Sequence, residues 1–257
     1  MHTKEQLIND LSALGIRAGD TILMHSSYKS LGGIEGGAAG FFDAFLTLLG
    51  EEGTLVLPAL SYASVTQVNP EFDLKTTPSC IGYLPEYFRQ QVPGVVRSLH
   101  PTHSCCAVGR NAEFLTRDHG LDRTPVGAHS PFARLPMVGG KILILGSNPN
   151  ANTSLHGVEE TAEPEYLFDR TAPVVYSVTD ADGNRQTVTH LRHGFHTPTA
   201  DYLQRYARIL NLLDETEVSY GKVLCADCVL MDAAAVWERG HNALAADPLY
   251  FVDVVQK

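Results

Sequence analysis

The stretch KILILG, residues 141–146, is the clearest buried strand in the sequence, and TSLHGVEE, residues 153–160, predicts the helix that follows it. Two similar apolar runs, TILMH at 21–25 and GTLVLPAL at 53–60, also lie in segments that alternate with helix-like sequence. Strands of near-continuous apolar character that alternate with helices are typical of a parallel sheet covered on both faces. The sequence therefore predicts an α/β protein with a three-layer α/β/α fold around a central, mostly parallel (mixed) sheet.

The rest of the chain supplies the outer layers and one addition to the sheet. Capped or amphipathic segments predict helices at residues 3–14, 38–49, 82–91, 199–211 and 232–245. The run VVYSVTDADGNRQTVTHL, at 174–191, predicts an added β-hairpin because two alternating segments flank the turn signal Asp182-Gly183. The run KVLCADCVLM, at 222–231, predicts one further strand. No internal repeat or low-complexity linker interrupts the chain, so we expect a single domain over residues 1–257.

Composition excludes several classes of protein. The 257 residues carry a formal net charge of −10, which argues against a nucleic-acid binder because such a protein shows a basic face. No apolar run reaches the roughly eighteen residues of a membrane span, and the polar start lacks the apolar region of a signal peptide. Five cysteines without framework spacing indicate a reducing compartment, so we expect a cytoplasmic protein.

His156 lies three residues before Glu159 and four before Glu160, at the exit of the predicted 141–146 strand. The segment could be an exposed helix, a metal site, or a general base with its partner. A metal motif of the H-E-x-x-H or H-x-x-E-H type needs a second histidine, which H-G-V-E-E lacks. Positions i and i+3 share one face of a helix, so Glu159 could orient the imidazole and stabilise its protonated form.

Two more segments carry side chains with chemistry. The run HSSYKSLGGIEGG, at 25–37, could be a flexible turn or a loop that binds an anion. It matches neither of the two glycine motifs of nucleotide-binding loops, G-x-x-x-x-G-K-[ST] and G-x-G-x-x-G. In RSLHPTHSCCAVG, at 97–109, Cys105 or Cys106 could be a nucleophile activated by histidine. The same run could instead be a buried strand in which cysteine fills apolar space. Ligands of open α/β sheets bind beyond the carboxyl ends of the strands, where we expect these segments.

A zinc site is a further alternative, because His190, His193, His196 and the C-A-D-C run at 225–228 supply ligand types for zinc. Residues i and i+3 of a strand point to opposite faces, which opposes chelation by this C-x-x-C. We therefore expect no metal. The G-x-S-x-G elbow of serine hydrolases is also absent from the sequence.

Four motifs in order, HSSYKSLG (25–32), HPTHS (100–104), GAHSPFARL (127–135) and TSLHGVEE (153–160), resemble the aminoglycoside 3-N-acetyltransferase family. These are the antibiotic N-acetyltransferases of YokD-like fold, and the resemblance covers about residues 5–250. It implies an α/β/α fold and direct transfer of an acetyl group from the cosubstrate acetyl-CoA to an aminoglycoside amine, at the 3-N position. The alternatives are the same chemistry on an amino sugar of a surface-polysaccharide or natural-product pathway, a thiol-based acyltransferase, a metal hydrolase or a coenzyme-A sensor.

The resemblance also implies roles for individual residues. The catalytic roles fall on His156 as base, Glu159 as its partner and Ser104 as a donor to the oxyanion. Contacts with the coenzyme are expected from Ser26, Ser27, Tyr28, Lys29, Ser30, Leu31, His103 and Ser104. The Ser-Pro motif of the family falls on Ser130 and Pro131. A cationic acceptor also requires carboxylate side chains near it to balance its charge. Contacts with the acceptor are therefore expected from Ser130, Glu160, Glu163 and Asp201. We expect a small-molecule amino sugar as the partner, and a monomer or homodimer.

Overall fold

A seven-stranded mixed sheet forms the centre of the computed structural model, which describes residues 1–257. The strands are β1 (Thr21–Ser26), β2 (Thr54–Pro58), β3 (Glu71–Asp73), β4 (Val96–Arg97), β5 (Cys105–Gly109), β6 (Lys141–Leu145), β7 (Phe168–Thr179), β8 (Arg185–His193), β9 (Ala200–Gln204), β10 (Val218–Val223), β11 (Ala226–Asp232) and β12 (Val252–Gln256). The α-helices are α1 (Lys4–Leu14), α2 (Gly37–Leu49), α3 (Tyr83–Gln91), α4 (Ala112–Thr116), α5 (Pro131–Arg134), α6 (Ser154–Ala162) and α7 (Ala233–Ala246).

The central sheet has the strand order β10-β11-β6-β1-β2-β5-β4. Its three middle strands β6, β1 and β2 are parallel, and the strands on either side of them pair antiparallel. The parallel strands are the apolar runs of the sequence, and they are buried along almost their whole length. Their carboxyl ends lie at one edge of the sheet, which brings the loop after β1 close to the loop after β6.

Helices cover both faces of this sheet, so the predicted three-layer α/β/α fold is confirmed. One face packs on α1, α2 and α3, with Leu11, Phe41 and Phe88 in its core. The other face packs on α6 and α7, with Leu155 and Val236 in its core. None of the helices is both long and apolar enough to cross a bilayer.

Two small sheets are added to the central one. The predicted hairpin is confirmed as β7 and β8, which pair antiparallel and turn at Gly183 with a φ of 86°. The short strand β3 pairs with β7, and Val174 and Tyr176 of β7 fill a separate small core. Strands β9 and β12 form the second addition. The hairpin ends at His193, and its end borders the main cavity of the protein.

Two predicted elements are wrong. Residues 199–211 form no α-helix: they contain β9 and then a 3₁₀ helix at Tyr206–Asn211, because β9 pairs with β12 instead of coiling. The predicted strand at 222–231 is a hairpin of β10 and β11 with a turn at Leu224 and Cys225. Leu224 has a φ of 55° there, and its N–H donates to the Asp10 carboxylate at 2.8 Å. This contact with α1 holds a turn that has no glycine or asparagine signal.

Candidate active site

A cavity of about 600 Å³ opens at the carboxyl ends of the parallel strands, the position expected for a ligand in such a sheet. Its wall includes His25 and Ser26 at the end of β1, and His156 on α6. Tyr176 and His193 of the β7–β8 hairpin form another part of the wall. The volume lies within the range of small-molecule sites, about 300–1,000 Å³.

Helix α6 is held rigidly beside the cavity. It begins after a 3₁₀ turn, where the Asn152 carboxamide oxygen accepts the Ser154 N–H at 3.2 Å. A Cβ at Gly157 would lie 2.5 Å from the Trp237 ring, so only glycine lets α6 and α7 approach this closely. The close packing fixes the backbone of the neighbouring His156.

His156 is connected to Glu159 through a third residue that the sequence analysis missed. The His156 Nδ1 lies 2.7 Å from the Tyr206 hydroxyl, and that hydroxyl donates to Glu159 Oε2. The direct distance between His156 Nδ1 and Glu159 Oε2 is 3.9 Å, too long for a hydrogen bond. Tyr166 donates to Glu159 Oε1 at 2.8 Å. With Glu159 ionised, His156 therefore donates its Nδ1–H to Tyr206 and keeps the Nε2 lone pair free on the cavity side.

Burial controls the charge of this relay, which we define as His156, Tyr206 and Glu159. Burial raises the pKa of Glu159 to about 7, although the two tyrosine hydroxyls act against this rise. The pKa of Tyr206 is raised by burial and by the Glu159 charge, so the phenol keeps its proton. Burial and then His193, His103 and other neighbouring imidazoles lower the pKa of His156 well below its usual value. His156 is therefore neutral near pH 7 and able to accept a proton.

A second histidine–glutamate pair lies next to the relay. The His193 Nε2 lies 2.7 Å from Glu160 Oε1, which also accepts the Val126 N–H at 2.7 Å. The His193 ring stacks on the His156 ring with centroids 4.5 Å apart. Glu160 lies behind His193 and does not border the cavity, and its Oε2 is buried without a partner. The predicted contact between Glu160 and the acceptor is therefore not supported, and Glu160 instead holds His193.

His103 borders the cavity, as predicted for a ligand-binding residue. Its Nδ1 lies 2.9 Å from the Thr102 hydroxyl, and its ring is 6.3 Å from His156 and 6.0 Å from His193. Behind it, His100 contacts further imidazoles, so the wall is backed by a histidine cluster of His100, His103, His119, His156, His190 and His193. Burial lowers the pKa of most of these rings, so the interior of the cluster is neutral near pH 7.

The structure contradicts the role predicted for Ser104. Its hydroxyl is fully buried, donates to the Ala59 carbonyl at 2.9 Å and accepts from Arg97 Nε at 2.9 Å. The side chain does not border the cavity, so it has no free proton for an oxyanion or for the coenzyme. Cys105 and Cys106 are fully buried in β5, and burial raises the pKa of Cys106 to about 12. Neither thiol has the exposure or the acidity of a nucleophile.

The loop after β1 is built against the end of β6. The Ser27 N–H donates to the Leu145 carbonyl at 2.9 Å, and the Ser30 hydroxyl donates to the Ser27 carbonyl at 2.7 Å. A Cβ at Gly146 would lie 1.8 Å from the Ser30 Oγ, so the glycine that ends β6 lets the two loops meet. Ser26 borders the cavity, whereas Ser27 and Ser30 hold the loop itself.

The other loop residues predicted to bind the coenzyme lie farther from the cavity. Leu31 is fully buried in the core beneath α1 and α2, so it cannot contact a ligand without unpacking. The Tyr28 ring packs on the Tyr83 ring with centroids 5.2 Å apart. Lys29 is exposed and borders no part of the cavity wall. Among the six loop residues, the geometry favours a ligand contact for Ser26 most directly.

The remaining residues predicted to bind the acceptor also lie outside the cavity wall. Ser130 is fully buried and caps α5. Glu163 is exposed and pairs with Arg170 at 2.6 Å, and Asp201 pairs with Lys257 at 3.1 Å. The predicted carboxylate lining for a cationic acceptor is therefore not supported by the structure.

Three polar atoms in wall residues are buried and have no partner in the protein: His25 Nε2, Ser26 Oγ and Asn152 Nδ2. Buried polar groups normally find a partner, so these atoms mark where a ligand or ordered water completes the wall. Asn152 and Tyr206 were both missed from the sequence. Asn152 carried only a weak signal, an Asn just before a helix, and Tyr206 lay in a segment wrongly predicted as helix.

Comparison with protein families matches residues 23–245 to the model described as aminoglycoside 3-N-acetyltransferase. Aminoglycoside N(3)-acetyltransferase VII of Streptomyces paromomycinus is 36% identical over 178 residues, which is 63% of this chain and 61% of that protein. The matched segment thus spans less than two thirds of the length of that relative.

Solved structures match over more of their length. The aminoglycoside acetyltransferase AAC(3)-IVa, as a histidine-to-alanine mutant in complex with a gentamicin, has a TM-score of 0.82 and 30% identity. The match covers 97% of this chain and 91% of that one. AAC-IIIb in a binary complex with CoASH has a TM-score of 0.78 and 28% identity, with coverage of 95% and 96%.

Proposed function

Because the chain belongs to the aminoglycoside 3-N-acetyltransferase family, we propose that it transfers the acetyl group of acetyl-CoA to an amine of an aminoglycoside or a related amino sugar. By family resemblance, the amine of an aminoglycoside acceptor is the one at the 3-N position. The observation that carries the proposal is the relay, which presents a neutral imidazole with a free Nε2 to a ligand-sized cavity.

The relay supplies the proton acceptor that amine acetylation needs. An alkyl amine is mostly protonated at neutral pH and becomes a nucleophile only when it loses a proton. His156 takes that proton on Nε2, while its Nδ1–H donates to Tyr206 and Tyr206 donates to Glu159. The carboxylate at the end of the relay stabilises the imidazolium that forms, in the way that an acid supports the histidine of a serine-protease triad.

The end of β1 and the loop before α6 supply the polar groups for the acetyl donor. CoASH is present in the AAC-IIIb structure, and here His25, Ser26 and Asn152 each present an unpartnered polar atom in the cavity wall. When bound, the thioester supplies an activated acetyl group: the amine nitrogen bonds to its carbonyl carbon, the C–S bond breaks, and the CoA thiolate leaves and takes up a proton. Negative charge develops on its carbonyl oxygen, and we assign the Asn152 Nδ2 as its donor, because this nitrogen has no partner in the protein while Asn152 Oδ1 accepts the Ser154 N–H. Loss of one such donor costs about 3 kcal/mol of activation free energy.

An acetyl-transfer assay tests the proposed function. The purified protein is incubated with acetyl-CoA and either gentamicin or simple amino sugars, and release of the CoA thiol is followed with mass spectrometry of the acceptor. We expect a mass gain of one acetyl group on the acceptor, with the modified nitrogen located by NMR. Absence of transfer to every amine contradicts the proposal. A stable acetyl group on the protein itself supports a thiol route instead.

A further inference from the structure

The cavity wall contains no Asp or Glu side chain. Its one permanently charged side chain is Arg192, and its other titratable groups are histidines and tyrosines. A polyamine such as an aminoglycoside carries several ammonium groups, and a desolvated ammonium is stabilised mainly by a carboxylate partner. The wall thus lacks the groups that a polycationic acceptor requires.

The two nearest carboxylates are not available to an acceptor. Glu159 is fully buried, and both of its oxygens accept from tyrosine hydroxyls. The Glu160 side chain is only 6% exposed, and His193 lies between it and the cavity. An acceptor ammonium could reach either carboxylate only by displacing an aromatic ring from the wall.

Arg192 is exposed on β8, and its guanidinium makes no ion pair or hydrogen bond with the protein. Asp169 lies opposite it in the β7–β8 ladder, but Asp169 Oδ1 accepts from the N–H and hydroxyl of Thr171, and neither carboxylate oxygen contacts Arg192. By contrast, Arg170 of the same hairpin pairs with Glu163, and Arg205 pairs with Asp253. A free guanidinium in a cavity wall binds carboxylate or phosphate through two parallel hydrogen bonds.

We propose that the acceptor is an amino sugar with a single reactive amine and an anionic substituent, a carboxylate or a phosphate, that Arg192 binds. This inference rests on the proposed function and specifies its acceptor. Arg192 directly precedes His193, whose ring stacks on His156. Arg192 and His156 both border the same cavity of about 600 Å³, so a ligand that fills this cavity can meet both side chains. The imidazole and hydroxyl groups of the wall can form hydrogen bonds with a hydroxylated ring.

Matched acceptors test this proposal on the intact protein. We compare glucosamine with its phosphate ester and with a uridine-diphosphate-linked amino sugar, and we include gentamicin as the polycation. For each acceptor, kcat/KM is measured at saturating acetyl-CoA. An acceptor with an anionic group should exceed the same sugar without that group by about tenfold or more in kcat/KM, the usual effect of a charge-assisted pair. The phosphate ester and the nucleotide-linked sugar distinguish a sugar phosphate from a diphosphate linkage.

Variants of Arg192 then assign the preference to this side chain. Arg192→Gln should reduce the ratio of kcat/KM for the phosphate ester over glucosamine to near one, and Arg192→Lys should restore part of it. Arg170→Gln is the matched control, because it removes an arginine of the same hairpin that lies outside the wall, and it should keep the ratio.

Three results would overturn the inference. Gentamicin could be preferred to every acceptor with an anionic group, or glucosamine and its phosphate ester could have equal kcat/KM. Arg192→Gln could instead raise the KM for acetyl-CoA and leave the acceptor ratio unchanged, which would assign the guanidinium to the coenzyme phosphates. Absence of transfer to all acceptors would instead contradict the proposed function itself, and the inference would fall with it.

Discussion

Glu159 and Glu160 are adjacent on α6, and each supports a histidine in a different way. Glu160 contacts His193 directly at 2.7 Å. Glu159 lies 3.9 Å from His156 and reaches it only through Tyr206. A regular helix turns about 100° per residue, so the two carboxylates enter different surroundings.

The difference shows how a charge is kept close to a base without contacting it. In the direct pair, the carboxylate occupies the His193 Nε2, so that nitrogen is not available to a substrate. In the relay, the phenol of Tyr206 separates the buried charge from His156, and the Nε2 of His156 stays free. The residue between histidine and carboxylate therefore decides which imidazole keeps a free Nε2, and the spacing of the motif does not.

The largest effect is expected from His156→Ala. Removal of the base should lower kcat by about 10²–10⁴-fold, the usual contribution of general base catalysis, with acetyl-CoA affinity retained. Steady-state kinetics and calorimetric titration of the coenzyme measure the two quantities. His241→Ala is the control, since that histidine contacts Thr161 outside the cavity and should leave kcat unchanged. Turnover close to the unmodified rate in His156→Ala would remove the base assignment.

Tyr206→Phe and Tyr166→Phe test the relay as a matched pair. Each variant deletes one hydroxyl that donates to Glu159, but only Tyr206 also contacts His156. We expect kcat to fall by about tenfold to a hundredfold in Tyr206→Phe, because a buried hydrogen bond to a charged group contributes about 1.5–3 kcal/mol. The loss in Tyr166→Phe should be much smaller. Equal losses in the two variants would mean that the hydroxyls only stabilise the fold.

Glu159→Gln should lower kcat, because the relay loses its charge, and should raise the free energy of unfolding at high pH. Burial raises the pKa of Glu159 from 4.5 to about 7, so the native state keeps a proton that the unfolded chain has released. The free energy of unfolding therefore falls as pH rises through this window. Glu159→Gln, which cannot ionise, should be more stable than the unmodified protein at about pH 8 by about 1–3 kcal/mol and nearly equal to it at about pH 4. Urea unfolding at both pH values measures the gap, and a gap independent of pH would contradict the buried charge.

Glu160→Gln should have a small effect on the chemical step. His193 keeps a hydrogen bond to the glutamine oxygen but loses the charge of its partner, so its position in the wall weakens. We expect a change of about threefold in the KM for the acceptor and a smaller change in kcat. If the pH–rate profile of Glu160→Gln moves more than that of Glu159→Gln, the roles of the two carboxylates are reversed.

No effect on turnover is expected from Cys105→Ala or Cys106→Ala. Both thiols are buried in β5, and direct transfer needs no acetylated enzyme. The free energy of unfolding should fall by about 1 kcal/mol, as for loss of a small buried side chain. A large loss of kcat in a folded variant would show that a thiol carries the acetyl group.

The apolar runs were sufficient to predict the layered fold, because β1, β2 and β6 are buried by their own composition. The wrong secondary-structure predictions lie in segments whose conformation is set by tertiary contacts. Residues 200–204 become a strand by pairing with the C-terminal strand, and Leu224 turns because Asp10 of α1 accepts its N–H. Both partners lie far away in the sequence, so local propensity does not predict either contact.

In the candidate site, too, some features follow from the local sequence and others depend on tertiary contacts. The spacing of His156 and Glu159 was visible in the sequence, but Tyr206 joins them from fifty residues away. Ser104 was predicted as a donor from the family resemblance, and only the structure shows that its hydroxyl donates to the Ala59 carbonyl. A hydroxyl group can donate or accept hydrogen bonds, and its partners are set by the tertiary structure. The sequence pattern alone does not specify these partners.

The β7–β8 hairpin contributes Tyr176, Arg192 and His193 to the wall, but it is not part of the seven-stranded sheet. His156 and the polar atoms proposed to meet the acetyl group belong instead to the central fold. A change in the hairpin therefore alters the wall proposed to meet the acceptor, but it also reaches the relay, because His193 stacks on His156 and contacts Glu160 of α6. For engineering, a hairpin grafted from another member of the family would have to keep the contact between His193 and Glu160, which ties the hairpin to α6.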